Sequence, residues 1–443
     1  MIDGSPRILR TLTFCALVGA GASPVSAQDV VQASPKPLDV SFGINLRERF
    51  ESDHAEFLGA VRGDSGEWLL QRLELRADVR LGPHVQVVAQ AQSAFAPAKQ
   101  ILTPVDRDPL DLEQAFVAIT EQVVGGTLTA RLGRQLIAFD LQRFVSLRDV
   151  PNLHQPYDAA EAEYQRGRWH LSAAYTQPVQ INAQNRYFSS RDLTFSGVRF
   201  ELPVPKLGDF SAYLAKFTHN GAVFTTASGD ERRNVFDVRL AGAHRRMDWD
   251  GEAMHQTGSL GAQAIEADAV GSSVGYTIDA AAWMPRIGLS FDAATGDSDA
   301  HDGRLETFNP LFPNGFYLAN YTGYSNVIHV KPSLSLQPRK TLRLTFAIAG
   351  QWRETTSDAV YLFPAVPLVG TAGKSGLHTG TYLQTHASAV LTPHVALALD
   401  AMYYTIGDAT RQAGGRNSTY VGLEIKYALT ANISDAVRTK EGS

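Results

Sequence analysis

Residues 68–81 read WLLQRLELRADVRL. One parity carries Leu69, Leu73, Leu75, Ala77, Val79 and Leu81; the other carries Arg72, Glu74, Arg76, Asp78 and Arg80. Successive side chains of a strand point to opposite faces, so this segment is a strand with one apolar and one charged face. It is longer than the roughly 5–6 residues of a globular strand and exceeds the about 9–11 that a tilted strand needs to cross a bilayer.

The alternation recurs along the chain. Residues 84–92 set Val85, Val87, Ala89 and Ala91 against His84, Gln86, Gln90 and Gln92. Residues 394–404 set Val395, Leu397 and Leu399 against Asp400 and Tyr404. Residues 418–429 set Val421, Leu423, Ile425, Tyr427 and Leu429 against Tyr420, Glu424 and Lys426. Eighteen strands are predicted: 40–50, 67–81, 84–96, 111–120, 127–137, 157–166, 169–177, 191–202, 208–218, 233–245, 247–256, 262–271, 281–292, 325–337, 341–353, 377–391, 394–405 and 417–429. The connections alternate in length. Long ones are 51–66, 97–110, 138–156, 178–190, 219–232, 293–324, 354–376 and 406–416, with 257–261 a shorter member of that class. Short ones carry turn residues: Leu81-Gly82-Pro83, Gly125-Gly126, Arg166-Gly167-Arg168, Pro338-Arg339-Lys340 and Thr392-Pro393. Short turns on one side and long loops on the other predict an all-β fold, a transmembrane antiparallel β-barrel of about 18 strands with both termini in the periplasm.

The chain ends and composition agree with that reading. Arg7 and Arg10 precede an apolar run from Thr11 to Ala22, then Pro24 and the small-residue site Val25-Ser26-Ala27. This is the order of a secretory signal peptide, residues 1–27, cleaved after Ala27. Residues 28–39, with Pro35 and Pro37, read as a periplasmic lead-in, 40–429 as the barrel and 430–443 as a polar tail. The expected location is the outer membrane of a Gram-negative cell. The one cysteine, Cys15, lies in the signal segment, so the mature chain has no disulfide and no thiolate chemistry. No later stretch approaches the ~18 apolar residues of a membrane helix. Hydrophobic residues at 44% exclude a disordered chain, and a net charge of -5 argues against nucleic acid as a partner.

In hydrocarbon every backbone N–H and C=O needs an internal partner, which strands supply only by closing into a ring. The apolar parity then faces lipid and the charged parity faces the lumen. At about 16–18 strands an aqueous channel remains. Trp68, Trp169, Trp249, Trp283 and Trp352 fall near predicted strand ends, where an aromatic girdle is expected.

Motifs for catalysis are weak. Gly271-Ser272-Ser273-Val274-Gly275 matches a nucleophile elbow, but it reads as a turn between strands rather than a strand–turn–helix element. The twelve histidines form no H-E-x-x-H and no metal-ligand cluster, and Asp297, Asp299, Asp302 and Gly303 do not keep EF-hand spacing. No enzyme activity, cofactor or metal is expected. The lumenal arginines carry the chemistry: Arg47, Arg49, Arg72, Arg76, Arg80, Arg131, Arg199, Arg239, Arg343 and Arg353 fall on the inward parity. Guanidinium groups bind carboxylates through paired hydrogen bonds and guide anions in pores. The same face carries Glu74, Asp78, Glu161, Glu163, Glu201, Asp237, Asp250, Glu252, Asp292, Asp400 and Glu424, which could neutralise them across strands.

Four stretches resemble the alginate export family of bacterial outer-membrane proteins. RLGRQLI (131–137) is followed by RFVSLRDVPN (143–152) and Tyr157-Asp158-Ala159; TFNPLFPNGFY (307–317) resembles the family's long external loop; NVIHVKPSLSLQP (326–338) and QWRETTSDAVY (351–361) resemble the two strands after it. The likeness spans roughly 40–429. It implies a monomeric eighteen-stranded barrel that passes an anionic polyuronate through an arginine-lined constriction. Carried over by motif, Arg131, Arg134, Arg143, Arg148 and Asp158 are the constriction candidates, with Glu161 and Glu163 beside them. Here the family's Phe-Asp-Gly is Tyr157-Asp158-Ala159, and the final strand is followed by a polar tail. The expected function is passive diffusion of anionic sugar polymers, oligomers or related anionic solutes, with outer-membrane lipid as surroundings and room for periplasmic export partners. The alternative is a general small-solute porin.

Overall fold

The computed structural model describes residues 38–61, 63–181, 188–315 and 321–433. The predicted signal peptide, most of the predicted lead-in and most of the predicted polar tail lie outside the described residues. Eighteen strands form one barrel: β1 (Leu38–His54), β2 (Gly66–Leu81), β3 (Val85–Phe95), β4 (Asp108–Val123), β5 (Gly126–Leu136), β6 (Pro156–Arg166), β7 (Trp169–Gln180), β8 (Leu193–Val204), β9 (Gly208–Val223), β10 (Ser228–His244), β11 (Met247–Leu260), β12 (Gln263–Thr277), β13 (Arg286–Ala294), β14 (Val327–Arg339), β15 (Leu342–Trp352), β16 (His378–Thr392), β17 (Val395–Ile406) and β18 (Ser418–Asn432). Each strand pairs antiparallel with the next. β18 pairs back onto β1, with Ser41 opposite Asn432 and Arg47 opposite Lys426, and the ring is closed. A five-residue helix, Asp408–Gln412, sits in the last loop. Among the described residues no helix is long and apolar enough to cross a membrane.

The burial pattern is that of a soluble protein turned inside out. Leu75 and Leu423 are 48% and 52% exposed, while Arg47 and Arg72 on the opposite parity are 1% and 2% exposed. Register makes these faces continuous: Leu75 stands opposite Ile44 and Ala91, and Arg76 opposite Gly43 and Gln90. An apolar outer wall against a charged interior is the arrangement a bilayer selects.

Strand number and order match the sequence pattern; several boundaries do not. β12 continues to Thr277, so Gly271–Gly275 lies inside a strand and not in a turn. The inward glycines there make room for arginines: a Cβ on Gly271 would meet the Arg143 guanidinium, and one on Gly275 that of Arg286. β13 starts at Arg286, which leaves Trp283 in the 278–285 turn. β9 and β10 run further than their alternation suggested, so the 219–232 connection shrinks to residues 224–227. Likewise 257–261 becomes a turn at 261–262. Trp68 is not part of an outer girdle. It shares parity with Arg72, points inward, donates its indole N–H to Glu51 Oε2 at 2.7 Å and lies under Lys99.

On the side of the long connections the lumen is packed. Leu58, Phe144, Phe308, Tyr321, Tyr382 and Tyr404 are buried there in one cluster of loop and wall residues. The loops that fill this half position the candidate site.

Candidate functional site

The connection from β5 to β6, residues 137–155, folds into the barrel and is fixed to its walls at several places. Asp140 Oδ1 accepts hydrogen bonds from Arg199 of β8 at 2.8 Å, Arg239 of β10 at 2.9 Å and Ser211 of β9 at 3.0 Å. Arg143 reaches β11 and β13, pairing with Glu252, with Asp250 at 3.3 Å and with Asp292 at 3.6 Å. Asp149 turns to the opposite wall. It pairs with Arg72 of β2 at 2.5 Å and with Lys426 of β18 at 3.1 Å. Arg47 and Arg49 of β1 donate to the carbonyls of Asp149, Pro151 and Val150. Asn152 donates to the carbonyls of Phe95 and Asp106, both at 2.9 Å. Burial alone would push the Asp149 carboxyl up, yet Arg72 and Lys426 hold it well below the usual carboxylate range.

A second loop, 295–326, meets the first inside the lumen. Val145 and Phe312 form a parallel bridge, with the Ser146 N–H donating to the Phe312 carbonyl at 3.0 Å and the Phe312 N–H to the Phe144 carbonyl at 2.9 Å. Aromatic rings close the crossing: Phe312 packs edge-on against Tyr157, Phe195 and Phe217, and Phe144 against Phe308 and Tyr324. The loops therefore narrow the bore.

The constriction candidates separate into three groups. Arg131 faces inward and is matched by Glu161 at 3.0 Å and Glu163 at 2.9 Å; Arg143 is matched as described. Arg134 and Asp158 form a pair at 2.8 Å on the outside of the wall. Arg134 shares its face with Leu132, which is 69% exposed, while Gln135 opposite Tyr157 takes the inner face. This corrects the motif-based reading, and the reason is parity: residues 131 and 134 are an odd number apart in one strand and cannot both face the lumen. Arg148 makes the third group. It has a left-handed backbone, φ 56°, and its guanidinium sits 5.9 Å from the Phe312 ring centre. Its Nε has no hydrogen-bond partner, and among the described residues no carboxylate pairs with it.

The remaining wall arginines are largely committed. Arg49 pairs with Glu51 at 2.8 Å, Arg72 also with Glu74 at 3.1 Å, Arg76 with Asp78 at 3.3 Å and Arg80 with Asp78 at 3.7 Å. Arg199 also pairs with Glu201 and Arg239 with Asp250. Arg343 lies partly buried near the short-turn end of β15. Arg353 lies beyond the end of β15 and does not line the wall. It is fully buried in the 353–377 loop and donates to the carbonyls of Thr371, Lys374 and Gly376. The sequence reading missed Asp140, Asp149, Glu113 and His154. Glu74, Glu113 and His154, far apart in sequence, bring potential ligand atoms within 4.8 Å of one another.

The family model described as alginate export matches residues 38–424. Among solved structures, Pseudomonas aeruginosa OpdK is similar at TM-score 0.60 and 12% identity, over 89% of this chain and 99% of that one. OccK3 (OpdO) of the same organism is similar at TM-score 0.59 and 12% identity, over 88% and 96%. The structure of OpdK with vanillate is similar at TM-score 0.59 and 10% identity, over 88% and 99%. No curated protein matches.

Proposed function

The chain belongs to the alginate export family of outer-membrane barrels, and from that premise we propose that it passes carboxylate-bearing saccharides, oligomeric or polymeric, or related anionic solutes by passive diffusion through a bore at whose loop crossing Arg148 stands without a carboxylate partner among the described residues. The family and the porin-like fold make it a channel and not an enzyme. The observation that carries the anionic reading is the contrast at the loop crossing. Arg131, Arg143, Arg199 and Arg239 are each neutralised by carboxylates, whereas Arg148 stands at the meeting of both inward loops and pairs with none among the described residues. A narrow, low-dielectric passage focuses the field of such a charge, so one guanidinium outweighs distant acidic surface. OpdK, a barrel of the same fold, has a structure with vanillate, a small carboxylate.

The test is conductance in planar bilayers. Arg148→Gln should move the reversal potential toward cations and weaken block by uronate oligomers. The difference should fade with salt, because the Debye length falls from about 10 Å at 0.1 M to about 3 Å at 1 M. The second reading, a general small-solute porin, is favoured by the dense pairing of the other arginines. It becomes the better description if uronates leave the wild-type current unchanged and Arg148→Gln alters neither selectivity nor block.

A further inference from the structure

We propose that Glu74, Glu113 and His154 form a site for one divalent transition-metal ion, with zinc as its probe, and that the ion locks the inward loop to the barrel wall. The three residues come from β2, β4 and the loop, and all are buried. His154 Nδ1 is 3.4 Å from Glu74 Oε1. Tetrahedral ligands at about 2.0–2.1 Å from zinc stand about 3.3 Å apart, so this edge already has the right length. Nδ1 is 2.5 Å from Glu113 Oε1. Admitting the ion requires that carboxylate to withdraw by roughly 1 Å to reach the same spacing.

Three further observations distinguish this cluster from an ordinary acidic wall. Glu74 is 5% exposed, and its Oε1, aimed at the imidazole, accepts no hydrogen bond, although Arg72 Nε lies 3.1 Å away. His154 Nε2 faces Asp149 Oδ1 at 2.9 Å. Metal-bound histidines donate their second ring N–H to just such a carboxylate, which fixes the tautomer and leaves Nδ1 free to coordinate. Among the described residues Glu113 has no ion-pair partner besides His154, and Gln90 Nε2 holds its far oxygen. The cluster thus offers two carboxylates and one imidazole, with the Arg72 guanidinium beside Glu74. That mixed donor set suits zinc, nickel or copper better than calcium or magnesium. Bound there, the ion joins the loop to β4, a strand that Asp149 does not reach, and ties it a second time to β2.

Full-length protein, purified and stripped with a chelator, would be titrated with zinc chloride by calorimetry, with elemental analysis after desalting. One zinc per chain is expected. His154→Gln and Glu113→Gln should each weaken binding tenfold or more, and Asp299→Asn in an external loop should not; heat-modifiable gel migration checks that every variant keeps its barrel. In bilayers, zinc should quiet the current fluctuations of the wild type and leave those of His154→Gln unchanged. If the wild type takes up no zinc, or the two variants bind as it does, the proposal is overturned, and His154 is a hydrogen-bonded bridge between Asp149 and Glu113.

Discussion

Two neighbouring residues show what decides a side chain's role here. Leu75 and Arg76 are adjacent, yet Leu75 projects from the outer wall among Ile44 and Ala91 while Arg76 lies inside beside Gln90 and Asp78. A lysine at Leu75 should cost about 2–4 kcal/mol if the site lies near the bilayer midplane. Arg76→Ala removes only a partly exposed, water-facing pair, whose loss is worth about 0–1 kcal/mol. Reversible unfolding in lipid vesicles measures both, and equal costs would contradict the assigned faces. Parity also shows where residue-level reading of the sequence succeeded and failed. Arg72, Glu74 and Arg131 were legible as inward from alternation alone. The outward placement of Arg134 was equally legible from its spacing to Arg131, but the motif obscured it. Gly271 was not legible: glycine in a strand resembles a turn until the Arg143 side chain that needs its space is known.

Strands are local objects, and their period of two survives without any knowledge of partners; this is why all eighteen could be read in order. The inward loop is the opposite case. Apart from the family likeness, which put Arg143 and Arg148 at the constriction, nothing within residues 137–155 says that they enter the barrel, because the contacts that hold them lie far away in sequence, Asp149 to Lys426 among them. The alternation of loop lengths pointed to an external connection, and the ion pairs redirect it. Asp140 is the clasp on the β8–β10 wall. Asp140→Ala leaves Arg199 and Arg239 short of one carboxylate, and removing one partner of a buried pair costs about 3–5 kcal/mol. Hydrogen exchange should rise in 137–155 while the strands stay protected. Conductance should become noisier and shift toward anions as the two guanidiniums are released. An unchanged exchange profile would mean that the aromatic packing of Phe144 and Phe312 holds the loop without the clasp.

At the scale of the molecule, both described ends and most of the short turns share one rim; the 261–262 turn is on the other. Leu38 stands opposite Leu81 at the start of the 82–84 turn, and β18 ends at Asn432 beside Ser41. The other rim bears the 55–65, 96–107, 295–326, 353–377 and 407–417 connections, partly folded inward. In outer-membrane barrels, short turns lie in the periplasm and long loops outside the cell. The expected orientation therefore places the termini, with the turn at 340–341, in the periplasm. Asp299 and Lys340 are both exposed, so each rim offers a place for an epitope tag that leaves strand pairing untouched. A tag beside Asp299 should be labelled by antibody on intact cells, and one at Lys340 only after the outer membrane is permeabilised. Labelling of the Lys340 tag alone on intact cells would invert the barrel, and the packed half of the lumen that holds Arg148 would then guard the periplasmic entrance.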